Sequence, residues 1–279
     1  MLNLSTIEND MRYIADMLIL NGTLTDCPGL INGKTGISIF FFHYARHTNN
    51  IIFEEYAMEL IKEIQSQIHK NSPVDYERGI AGIGVGMDYL IKNNFFHVDE
   101  DFFKDFDEKI YYDVMYNKWS DFSLYDGLIG YGRYWIMRYI QDIQNRKAMD
   151  CILNIIRKIE MDISEISTEE FPSVIILLSK FKKNGFRISS DLMKSIIKVN
   201  LDFPYLTDST VSEFVRKYQR NCCVGDYLHN NVYMDLKKVS DLNKKKQSIT
   251  TGLLTGYAGE GLLRLTAINK VNISWLNLL

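Results

Sequence analysis

The chain has 279 residues, 46% hydrophobic and 24% charged, a balance that belongs to globular proteins and excludes disordered or fibrous ones. Its net charge of -3 comes without a basic face, so nucleic acid is not an expected partner. Four cysteines, two adjacent and the others far apart, make no disulfide framework and fit a reducing, cytoplasmic setting.

The opening MLNLSTIENDMRYIADMLIL carries charges within its apolar run and lacks a basic start. It reads as a first amphipathic helix, not as a signal peptide or a transmembrane segment. Next comes GKTGISIFFF from Gly33, in which Ile37 to Tyr44 is apolar on every side and therefore predicts a buried helix. In IIFEEYAMELIKEIQSQI, by contrast, Ile52, Phe53, Tyr56, Ala57, Leu60, Ile61, Ile64 and Ile68 follow the three-four spacing of one helix face. The alternation repeats. GIAGIGVGMDYL from Gly79 leads into a buried helix at Ile83 to Leu90, and the amphipathic DEDFFKDFDEKIYYDVMYNKW follows, its opening acids suiting a helix N-terminus. GLIGYGRYWIM from Gly127 and the amphipathic YIQDIQNRKAMDCILNIIRKI make a third pair.

From Ser164 to Tyr218 the pattern fades: EEFPSVIILLSKFKKNGF stands where a fourth motif belongs but carries Pro172 and no glycine cluster, so its helix is expected without the glycine loop. The polar, lysine-rich VSDLNKKKQSITTG reads as a solvated connection, and GLLTGYAGEGLLRL restores the motif at Gly256.

In register, Gly33, Gly79, Gly127 and Gly256 align, as do Gly36, Gly82, Gly130 and Gly259, while Gly84, Gly132 and Gly261 align in the last three motifs. None has the full G-x4-G-K-S/T spacing of a phosphate-binding loop or follows a convincing strand. This is a repeat protein, with room for about three units between Gly127 and Gly256. Amphipathic helices wrapped around helices apolar on all sides give an all-α fold, an α/α toroid of helical hairpins with the glycine-rich loops at one end of the inner helices. Inner helices are expected to start at or just after Gly36, Gly82, Gly130 and Gly259, all at the same end, where only a residue without a β-carbon permits close backbone approach. Residues 1–279 read as one such domain.

GLLTGYAGEGLLRL resembles the closing repeat of the lanthionine synthetase C-like (LanC-like) family, and GLINGKTGISIFFFHYAR, ERGIAGIGVGMDYL and YDGLIGYGRYWI resemble its earlier repeats. The resemblance implies a toroid of up to seven hairpins. It also implies a zinc ion held by two cysteines and a histidine, which presents a substrate peptide's cysteine as thiolate for addition to a dehydrated Ser or Thr, with an acid to protonate the resulting enolate. Of those metal positions only Cys223, in the Cys-x-Gly of RNCCVGDYLHNN, matches; Leu228 replaces the next motif glycine and the adjacent Cys-His pair is absent. One ligand-bearing repeat is missing between Gly225 and Gly256. Cys222, Cys223 and His229 are the candidate zinc ligands, against a reading as small buried groups and a surface histidine. Cys27 and Cys151 read as structural.

Ser123 stands where the resemblance implies the acid, flanked by Asp121 and Asp126, each a candidate, with an N-cap role the competing reading for Asp126. Arg133, Arg264 and His43 are candidate substrate-binding residues. Two functions follow: a degenerate cyclase that binds a modified or leader peptide, or a partner dehydratase, as a scaffold; or an active zinc-dependent cyclase forming thioether rings. A weaker third, a glycosidase using Asp88 and Asp126, depends on their separation.

Overall fold

The computed structural model describes residues 4–98, 102–119, 121–167, 169–190 and 250–279, with positions 192, 211, 212 and 215. Among them there is no strand. The helices are α1 (Leu4–Gly22), α2 (Lys34–Thr48), α3 (Ile51–Gln67), α4 (Ile80–Lys92), α5 (Lys104–Tyr116), α6 (Leu128–Gln141), α7 (Arg146–Met161), α8 (Phe171–Lys183) and α9 (Tyr257–Ala267), followed by a short 3-10 turn at Ile273–Leu278. None is long and apolar enough to cross a membrane.

The fold is an α/α toroid. The helices that are apolar all round lie inside: α2 is buried without interruption from Lys34 to Ala45, and α4 and α6 nearly so. The amphipathic helices pack on them from outside, α3 on α2, α5 on α4 and α7 on α6. On α3, Ala57, Leu60, Ile61 and Ile64 are buried as the periodicity requires, but Ile52 is 63% exposed, and in that first turn it is Phe53 that packs on Phe41 and Tyr44 of α2. Inner contacts run α9, α2, α4, α6, α8 in order, so the last motif packs against the first and closes the array on itself. On the arc between α8 and α9, Val211 lies against Gly259. The expected irregularity near residues 225 to 256 lies almost wholly outside the described residues.

The inner helices α2, α4, α6 and α9 each start immediately after the first motif glycine, with Gly33, Gly79, Gly127 and Gly256 as extended N-caps, two residues earlier than the spacing suggested. The reason is that the preceding loop doubles back and satisfies the opening N–H groups itself: Lys34 donates to Cys27 O, Ile80 to Pro73 O, Leu128 to Asp121 O and Tyr257 to Thr250 O. The first N–H of each of these helices is thereby taken up by its own loop. The second glycine of each motif lies in the first turn, beneath the carbonyl of the residue six before it. A β-carbon at Gly36 would sit 2.5 Å from Leu30 O, and one at Gly82 would collide with Tyr76 O, as at Gly130 with Leu124 O and Gly259 with Leu253 O.

The same doubled-back residues join neighbouring units. Leu253 wedges against Gly36, Leu30 against Gly82 and Tyr76 against Gly130. Their backbones form a ladder round the rim, with Leu253 N donating to Ile31 O (2.6 Å), Ile31 N to Glu77 O (3.3 Å) and Tyr76 N to Tyr125 O (2.9 Å). Deeper in the ring the third glycine of each motif receives a large side chain from the next inner helix: Gly261 takes Phe40, Gly84 takes Tyr134 and Gly132 takes Leu177. Leu177 belongs to α8, so the helix beginning at Phe171, with Pro172 in its first turn, keeps its place in the array without a glycine loop.

The segment from Tyr139 to Ile159 is not one helix. It holds the end of α6 and most of α7, broken at Asp142–Asn145, where the Asn145 side chain accepts from Ala148 N and caps the new helix.

Gly82→Ala is expected to destabilise the protein by about 1–3 kcal/mol, because the atom it must move is backbone. Met161→Ala, at a 78% exposed position, should change stability by less than about 0.5 kcal/mol; denaturant unfolding of both variants checks the contrast.

Candidate functional site at the rim and interior of the ring

The rim where the glycine loops meet is acidic. Asp75 and Glu77 precede α4, and Asp121 and Asp126 precede α6, with Arg78 and Asn32 beside them. Asp75 is committed to its own loop, its Oδ1 accepting from Arg78 N (2.7 Å) and Gly79 N (3.2 Å). Asp121 does the same for Ser123 N (2.7 Å). Glu77 accepts from the Asn32 side chain at 2.9 Å.

Asp126 does not cap α6. The N-cap is Gly127, which makes no side-chain capping bond, and Ser123 Oγ accepts from Asp126 N at 3.3 Å. Partial burial, and then the neighbouring charges of Glu77, Asp75 and Asp121, push the Asp126 carboxyl above the usual carboxylate range, while Arg78 opposes them. A carboxyl so placed holds a proton more readily than an ordinary aspartate and is positioned to exchange one with a group arriving at the rim.

Beneath the rim, Tyr76 and Arg133 face the interior. Both are buried, and the Arg133 guanidinium lies over the Tyr76 ring, 5.7 Å from its centre. Each donates to a backbone carbonyl of the segment that follows α9: Tyr76 Oη to Leu278 O (3.0 Å) and Arg133 Nη1 to Asn277 O (3.0 Å). Tyr76 is a functional candidate that the sequence did not single out; its place three residues before a motif glycine is also that of Leu30 and Leu253, and the one aromatic hydroxyl among these three was the available signal. A cavity of about 570 Å³ opens elsewhere, on the outer layer beside Val114, Trp119 and Lys158.

The remaining candidates do not converge. Arg264 is fully buried on α9 but points outward to α1, with Asp10 at 3.6 Å and Glu260 of its own helix at 3.7 Å. His43 lies ten positions past Gly33, between α2 and α4, with Nε2 2.8 Å from the Tyr89 hydroxyl and its ring edge-on to Phe95. Burial lowers its pKa to about 3, so it is a neutral core histidine. Cys151 is buried in α7, and Cys27 accepts from Gly29 N within its loop; burial raises the pKa of both thiols. Asp88 accepts from Gln141, the last residue of α6, while Asp126 precedes its first. The 14 residues between put the two carboxylates about 20 Å apart, beyond the reach of paired-carboxylate glycoside hydrolysis.

Cys222, Cys223 and His229 lie outside the described residues. Among the described residues no three His, Cys, Asp or Glu side chains converge as a metal site.

A family model described as "Lanthionine synthetase C-like protein" matches residues 26–186, more than half of the chain. No curated protein matches it.

The folded state holds the Asp126 proton more tightly than the unfolded chain does, so ionisation at that residue costs stability as pH rises through the carboxylate range. Asp126→Asn is therefore expected to raise the melting temperature at pH 7, by roughly 1 °C. The gain should vanish near pH 3, where the carboxyl is protonated in both states, and thermal melts across that range check it.

Proposed function

The chain belongs to the LanC-like family, and from that premise we propose that it is a peptide-binding or scaffold protein of lanthipeptide biosynthesis, a degenerate relative of the zinc-dependent cyclases. The observation that carries this reading is the pair of buried donors, Tyr76 and Arg133, that face the ring interior and hold two successive peptide carbonyls. Main-chain carbonyls are common to every peptide, so donors of this kind retain a peptide without demanding one side chain. The sequence supports the non-catalytic form: the Cys-His pair is absent and Ser123 stands at the acid position. A cytoplasmic setting, a single domain over residues 1–279 and a dehydratase as partner complete the proposal.

The second reading is an active cyclase. Cys222, Cys223 and His229 would hold the zinc, whose contribution when bound is to keep a substrate thiol deprotonated. Asp126 then gains a role: a carboxyl at the rim whose proton affinity is raised by partial burial and neighbouring acids is placed to return a proton to the carbon that becomes carbanionic when the thiolate adds.

Elemental analysis of protein purified without chelator separates the two. Well under one zinc per chain is expected, together with binding of a dehydrated Ser- and Cys-containing peptide that weakens at least tenfold in Arg133→Met. About one zinc per chain, lost in Cys223→Ala, would reverse the preference and restore the cyclase.

A further inference from the structure

Residues 271–279 belong to no hairpin of the toroid, yet they are among its most enclosed. After α9 the chain reverses through Asn269, at φ 57°, and Asn272 Oδ1 accepts from Ser274 N to start the 3-10 turn. Trp275, Leu276, Leu278 and Leu279 are all nearly inaccessible, while Ser274 and Asn277 remain exposed. Trp275 Nε1 donates to Thr266 Oγ1 at 3.0 Å, at the far end of α9 from the glycine rim. The turn packs on α4, and its last two bonded carbonyls reach Arg133 of α6 and Tyr76 at the rim. A segment that touches α9 on one side of α2, and α4 and α6 on the other, crosses the interior past α2. It crosses from the far end towards the rim.

This is how a protein holds a bound peptide. Side chains of separate scaffold elements take the carbonyls, the apolar interior takes the adjacent pairs Trp275–Leu276 and Leu278–Leu279, and the backbone adds to no existing helix. Removal of the segment would leave the Tyr76 hydroxyl and the Arg133 guanidinium as buried donors without these acceptors, a cost that only another acceptor-bearing chain or water relieves. The burial gained from the four apolar side chains is opposed by the entropy of ordering the whole segment, and the two are of similar size. A balance of that kind is a ligand's affinity.

We propose that the ring interior is a peptide-binding site whose resident ligand is the chain's own Val271–Leu279, and that another peptide enters by displacing it. The class it accepts is a short segment with an aromatic anchor followed by aliphatic ones, offering successive carbonyls to Arg133 and Tyr76. Occupancy by the chain's own residues stands on the contacts alone; only the identity of the competitor rests on the peptide-holding function proposed above.

The test uses the full chain, folded with a protease site inserted in the exposed turn after Lys270 and cut only afterwards. The probe is the fluorescent peptide VNISWLNLL. The cut protein is expected to keep its helical circular dichroism and to take up the probe saturably, whereas the uncut protein does not. Affinity should fall at least tenfold for the Trp275→Ala peptide and at least tenfold in Arg133→Met protein. Loss of helical structure on cutting would make the segment a structural strut and overturn the proposal. So would failure of the probe to enter, or uptake indifferent to Trp275 and Arg133. A dehydrated Ser- and Cys-containing peptide is then added as competitor: its displacement of the probe supports both readings. Probe binding that the competitor leaves untouched sinks the peptide-holding function and sustains the internal ligand.

Discussion

The architecture depends on backbone meeting backbone at four glycines. Beneath Leu30, Tyr76, Leu124 and Leu253 the chain leaves no room for a β-carbon, and this closeness lets a loop fold over the helix it introduces. Closure does three things at once. It supplies carbonyls to the opening N–H groups of the inner helix, sets that helix's direction, and turns the doubled-back residue towards the next unit, where it meets that unit's glycine. A side chain at any one of these glycines would therefore disturb a cap and a joint together. Since Leu253 meets Gly36 in the way that Leu30 meets Gly82, the ring is closed by the same contact that builds it.

The character of the rim and interior follows from that construction. Loops that must carry their own Asx-type turns place Asp75 and Asp121 at the mouth, where their oxygens bind nearby N–H groups, and this gathers negative charge round Asp126. Below, a doubled-back position filled by tyrosine rather than leucine puts a hydroxyl inside the ring, and Arg133 of α6, in the next unit, joins it. Structural demands made the mouth acidic; two polar side chains made the interior able to hold a chain of carbonyls. Outside the ring, the Arg138 to Asp107 ion pair at 2.7 Å, with the Tyr134 hydroxyl also on Asp107, pins α5 to α6 and leaves the inner face free of that duty.

A great deal of this was legible in the sequence. Glycines in fixed register before apolar runs specify a repeat whose inner helices are buried, because a helix apolar on every side has no other stable place. The same reasoning found α8 without its glycines, since Val174, Ile175, Leu177 and Leu178 are enough to require burial. It missed the break between α6 and α7, where Asp142 and Asn145 interrupt a pattern that apolar spacing alone carries straight through. It also placed helix starts two residues late, because the caps are loop carbonyls distant in sequence rather than side chains nearby.

What the sequence determined by itself is which helices are inner and which outer, and the family, since both depend on period and register along the chain. What only the tertiary structure decided is the direction in which each buried polar group points. Arg133 and Arg264 both follow a motif glycine, yet Arg264 stands two residues further along its helix, which is about 200° of rotation. One faces the interior and the other faces α1. His43 is buried by the same periodicity as its neighbours and meets a tyrosine, not a cavity. Residues 271–279 carry no period at all, and their place inside the ring exists only because α4 and α6, remote in sequence, enclose with α9 a space of that shape.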